Sequence, residues 1–127
     1  MDPQELQRAS IKAAEKDLRA ILDRDFSASR MSTTKWAEVA EWLGASSLKC
    51  NVKFVDVPDK VFEIKRFRHV TGDWFDCGSL GPFTSISIEW AEIDHLEDIE
   101  KQLTEMSVPY DRESDRIRII GHVRNAE

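Results

Sequence analysis

The sequence predicts an α+β fold: an antiparallel sheet of about five strands with helices packed on one face, plus an extra N-terminal helix. Three observations lead there. Apolar residues recur at helical spacing around Leu18, around Val39 and around Leu103. They alternate with polar residues over Cys50–Phe54, Val61–Phe67 and Ile86–Trp90. Turn residues join neighbouring strands, which makes antiparallel pairing the simplest topology.

The first helix runs from Pro3 to about Asp23, with Ile11, Ala14, Leu18, Ile21 and Leu22 on one stripe, Asp2 as cap and Pro3 in the first turn. Residues 25–34 are polar and poor in helix formers, and are read as a hinge or linker. That divides the chain into a helical extension, residues 1–30, and one α+β domain, residues 31–124. A second helix follows to Leu43. Trp36, Val39, Ala40 and Leu43 share a stripe, Ser32 or Thr33 is the cap, and Gly44 stands where a left-handed C-terminal residue belongs. Cys50–Phe54 and Val61–Phe67 form a hairpin through Pro58-Asp59-Lys60. The segment Thr71–Phe83 is a structured loop or a short bulged strand. Ile86, Ile88 and Trp90 mark a strand whose other face carries Glu89, read as exposed. Leu96, Ile99, Leu103 and Met106 mark a third helix after Asp94 as cap, and a hairpin turning through Asp111–Asp115 closes the chain at Gly121.

Composition narrows the function classes. A chain of 127 residues buries roughly two-thirds of its unfolded surface, enough for one core. With 41% hydrophobic and 33% charged residues, disorder is excluded. Cys50 and Cys77 occur without a signal-like start, so the expected location is cytoplasmic with both thiols reduced. No apolar run approaches the ~20 residues that cross a bilayer. The net charge of −6 disfavours direct nucleic-acid binding and suits a basic partner.

The residues give little support to an enzyme. His69, His95, His122, Cys50 and Cys77 fall in no metal-ligand spacing, so neither a metal nor a cofactor is expected. Cys77-Gly78-Ser79 is the one glycine-flexed turn with a reactive side chain, but it lacks the nucleophile-elbow pattern and has Asp76 beside it. Phosphate-loop motifs are missing. Glu89, Glu92, Asp73 and Asp76 could pair as general acid and base, though carboxylates are abundant enough here to pair by chance.

Thr34-Lys35-Trp36, Asp73-Trp74-Phe75, Ile88-Glu89-Trp90-Ala91-Glu92-Ile93, Val108-Pro109 and Ile117-Arg118-Ile119-Ile120-Gly121-His122 resemble an uncharacterised bacterial family of small proteins known as a domain of unknown function. The resemblance spans Thr33 to His122. It implies a fold and carries no catalytic residue. By analogy of context, small acidic proteins of this kind suggest immunity or antitoxin partners.

The run from Glu89 to Glu100 holds six carboxylates in twelve residues and no Lys or Arg. The expected function is therefore a non-enzymatic cytosolic protein-binding domain, an immunity- or antitoxin-type inhibitor docking an acidic face on a basic partner such as a toxin or nuclease. Glu92, Asp94, Glu97, Asp98 and Glu100 would form that face, with Trp74 as aromatic anchor. One alternative is a small-molecule-binding protein or enzyme with a site in the aromatic and carboxylate loop 73–83. Another is an acidic nucleic-acid mimic, whose charge pattern Lys60, Lys65, Arg66, Arg68, Arg112, Arg116, Arg118 and Arg124 would interrupt. The first helix could also pair with a second copy as a homodimer.

Overall fold

The computed structural model describes residues 16–46, 48–57, 59–65, 67–72, 74–76, 82–94 and 98–125. Helix α1 covers 16–25 of these; the expected start of the first helix lies outside the described residues. Its stripe is as the spacing predicts: Leu18 is buried against Phe26 and Val55, with Ile21 and Leu22 packed alongside.

The chain then enters strand β1, Phe26–Ser29, where the composition suggests a hinge. β1 pairs antiparallel with β10, His122–Arg124. Of the four β1 residues only Phe26 is buried, so the strand lacks the alternation that reveals a half-buried one.

Helix α2, Thr33–Ala45, is capped by Ser32, whose Oγ accepts the Lys35 N–H at 3.1 Å. Trp36, Val39, Ala40 and Leu43 form its buried stripe. Gly44 is not the left-handed terminator expected of it. The helix runs on to Ala45 and closes at Ser46 with φ −92° and ψ −1°, a right-handed residue.

Strands β2 (Cys50–Phe54) and β3 (Val61–Ile64) form the expected hairpin. β4 (Arg68–Thr71), β5 (Trp74–Asp76) and β6 (Pro82–Thr84) build a separate three-stranded sheet, of which β5 lies within the segment Thr71–Phe83 read as a structured loop or short bulged strand. A 3-10 turn, Ser85–Ser87, leads into β7, Ile88–Asp94. Asp94 is thus the last residue of a strand and not a cap. Helix α3, Ile99–Glu105, begins later, with Asp98 in the cap position making no side-chain bond. β8 (Tyr110–Glu113) and β9 (Arg116–Ile120) turn through Ser114 and Asp115, a shorter turn than the polar run Asp111–Asp115 suggests. Ser114 takes φ 40° there.

The main sheet has the order β3-β2-β7-β9-β8, every pair antiparallel. Cys50, Val52, Ile64, Ala91, Ile93, Ile117 and Ile119 bury its inner face against Trp36, Val39 and Leu43 of α2 and Ile99 and Leu103 of α3. This is the predicted α+β arrangement, with helices on one face. Phe54, Phe67, Phe75 and Phe83 join the two sheets through ring pairs 5.0–6.0 Å apart, so Phe75 and Phe83 of the expected ligand loop face the core. Among the described residues, no helix is long and apolar enough to cross a membrane.

β1 and β10 are tied by a buried histidine. His122 Nε2 lies 2.8 Å from the Ile86 carbonyl, which can only accept, so Nε2 carries the proton and Nδ1 accepts from Ser29 Oγ at 2.8 Å. Burial lowers the His122 pKa against smaller opposing effects from the Ile86 carbonyl and from Glu89. The unfolded chain therefore takes up this proton at a higher pH than the folded one. The stability held by neutral His122 is fully present above the unfolded value of about 6.5 and is lost as pH falls toward the lower folded value. Melting of wild type and His122→Gln between pH 8 and pH 5 should show the gap between them shrinking on acidification; a constant gap would contradict the assignment.

Candidate functional site

The outer face of the main sheet carries what the inner face rejects. Alternation along β7 and β9 sends Trp90, Glu92 and Asp94 outward beside Ile120, Arg118 and Arg116, their register partners. One transverse row reads Glu63, Asn51, Glu92, Arg118, Asp111 from edge to edge. The next row toward the β8–β9 turn is Asp94, Arg116, Glu113.

Two carboxylates in this surface are deeply buried, Glu92 at 7% exposure and Glu89 at 5%. Glu92 is clamped from β9. Its Oε2 accepts from Arg118 Nε at 2.8 Å and from Arg118 Nη2, and its Oε1 accepts from Arg116 Nη1 at 3.2 Å. Arg118 also lies over the Trp90 ring, its Cζ 4.3 Å from the centroid, a cation–π contact that adds to the hold on the guanidinium. Glu89 sits where the β2–β7 register shifts, and accepts from Arg124 Nη2 at 2.7 Å with Lys53 Nζ at 3.5 Å. Arg124 in turn lies over the Phe26 ring at 4.8 Å, which joins β10 and β1 to the same network. Charge-assisted bonds occupy both carboxylates, so they order the sheet surface and are poor candidates for a general acid and base.

A second set of acids has no such partners. Asp94, Asp98, Asp111 and Asp115 are exposed and make no ion pair among the described residues. They lie at the end of β7, the start of α3, on β8 and in the β8–β9 turn. Glu100 of α3 is half-buried, 3.6 Å from Arg112.

Residues 18–126 match DUF6678, described as a family of unknown function. The chain belongs to this family. The DUF6678 match reaches upstream of Thr33, where the motifs suggest a start, and takes in most of α1 and all of β1. No curated protein and no solved structure matches the chain.

The DUF6678 fold separates the residues that the acidic run places together. Glu92 points into its arginine clamp, Asp94 and Asp98 are open to solvent, and Glu97 lies outside the described residues. Trp74 belongs to β5 of the small sheet, half-buried opposite Thr84, and no described contact joins it to the acidic residues. Glu89, expected exposed, is buried, and Trp90, expected in the core, is half-buried on the outer face. Both reversals follow from the register shift in β7, which breaks simple alternation at Ile88 and Glu89. The clamp residues Lys53, Arg116, Arg118 and Arg124 are absent from the sequence-based site. The alternation Arg116-x-Arg118 was the available signal, but it becomes a site only once β9 is known to lie beside Glu92.

Proposed function

We propose that this protein is a non-enzymatic, cytosolic binding module of immunity or antitoxin type that docks on a basic partner such as a toxin or nuclease. The observation that carries the reading is the division of the acids. Glu89 and Glu92 are paired with basic side chains, while Asp94, Asp98, Asp111 and Asp115 make no ion pair among the described residues and stand around one corner of the sheet. Unpaired carboxylates on a protein of net charge −6 give a long-range field that speeds encounter with a cationic surface. Trp74, half-buried on the small sheet, supplies the short-range aromatic anchor, with Trp90, half-buried on the main sheet, as a second aromatic.

The test begins with affinity capture on the tagged protein at low and high salt, followed by association kinetics with the captured partner. Asp94→Lys with Asp98→Lys should slow association about tenfold or more at low salt and flatten its salt dependence. Asp98 makes no capping bond, so the pair of changes leaves α3 its hydrogen bonds. Association at the wild-type rate in 20 mM salt would remove the acidic corner from the interface.

A further inference from the structure

A groove of roughly 870 Å³ runs beside α2, bounded on its other side by Lys65 and Phe67 and by Arg68 and His69 of β4. It shares no residue with the acidic corner. Its α2 side carries Glu38 and Glu41, and its opposite side carries Lys65, Arg68 and His69. Among the described residues Glu41 and Lys65 make no ion pair, Glu38 pairs with Lys35 of its own helix at 3.5 Å, and Arg68 pairs with half-buried Asp76 at 3.3 Å. The groove is thus acidic on one side and basic on the other.

Its length and its small residues limit what fits. The α2 residues lining it run from Thr34 to Ala45, about 16 Å of helix at 1.5 Å per residue. That length matches about five residues of extended chain at ~3.3 Å each. Gly44 lines it as well. No left-handed φ requires a glycine there, and nothing lies within 4 Å of where its Cβ would stand. Glycine near a helix end weakens the helix without any demand from its own fold, and leaves room for another backbone to approach.

We propose that this groove binds an extended peptide segment in which acidic and basic side chains alternate. Successive side chains of an extended chain point to opposite sides. Every base of such a peptide then faces Glu38 and Glu41, and every acid faces Lys65 and Arg68.

The experiment is fluorescence polarisation of the full chain with a labelled hexapeptide of alternating Glu and Lys. The comparison peptides are a block isomer of three Glu then three Lys, and the free Glu–Lys dipeptide. The alternating peptide should bind about tenfold or more tighter than the block isomer, with amide NMR shifts at Glu38, Glu41, Gly44 and Lys65. Glu41→Lys should weaken it about fivefold or more, and Glu38→Lys with Glu41→Lys should weaken it further, because the bases of the peptide then meet like charge. Gly44→Leu should abolish binding while keeping the wild-type melting temperature; if that variant does not fold, the charge reversals at 38 and 41 carry the test alone. Equal binding of the block isomer, saturation by the dipeptide at the same affinity, or an unchanged affinity in Glu41→Lys would each overturn the proposal.

Discussion

Gly121→Ala should destabilise the protein by about 3 kcal/mol, lowering its melting temperature by roughly 10 °C, and is the single-methyl change with the largest expected effect. A Cβ at this position would stand 2.3 Å from the Ile88 carbonyl oxygen, 3.1 Å from that of Glu89 and 3.3 Å from Trp36 Cζ2. The two oxygens belong to the backbone of β7, the central strand of the main sheet, which cannot yield as a side chain can. Gly121 also donates its N–H to Glu89 at 2.7 Å and accepts from Arg30 at 2.9 Å, so a shift would strain the junction of α2, β7 and β10 together. Trimming the neighbour with Trp36→Phe should not recover the loss, because the closest contacts are main-chain. A melting temperature within about 1 °C of wild type would show that the junction relaxes freely and that close packing is not what requires glycine.

Glu92→Ala is expected to cost about 2–3 kcal/mol, less than a fully buried ion pair because Arg118 and Arg116 keep 29% and 49% of their side-chain exposure. The loss comes from leaving two adjacent guanidiniums without the carboxylate that separates their charges. It should be read by chemical denaturation and by fluorescence, since Arg118 would no longer be held over Trp90. A double-mutant cycle with Arg118→Met isolates the pair, with a coupling of about 1 kcal/mol or more expected. A coupling near zero would mean that the clamp is an ordinary surface contact and that the outer face is not rigid.

Much of the fold was legible because burial on one side of a helix or strand leaves a periodic trace. The stripe Trp36, Val39, Ala40, Leu43 is buried as its spacing predicts, and Cys50, Val52 and Phe54 alternate with half-buried Asn51 and Lys53 as the period of two requires. β1, β4 and β10 left no such trace. β4 is exposed at every position and β1 at three of four, so neither has two unlike faces to write into the sequence. The same reason hid the hairpin end at Glu113, where an exposed edge strand reads like a polar turn.

The site was less legible than the fold. Sequence alone established an acidic α+β domain, a dense carboxylate run and the apolar stripes that build its core. Only the tertiary structure decided which carboxylates remain available. Glu92 meets Arg116 and Arg118 from 24 and 26 residues away, and Glu89 meets Arg124 from 35. Local pattern reports which face of its own element a residue occupies. The partner across the sheet is set by strand order and register, which depend on packing of the whole core, and that partner determines whether a charge is spent inside the molecule or offered to another.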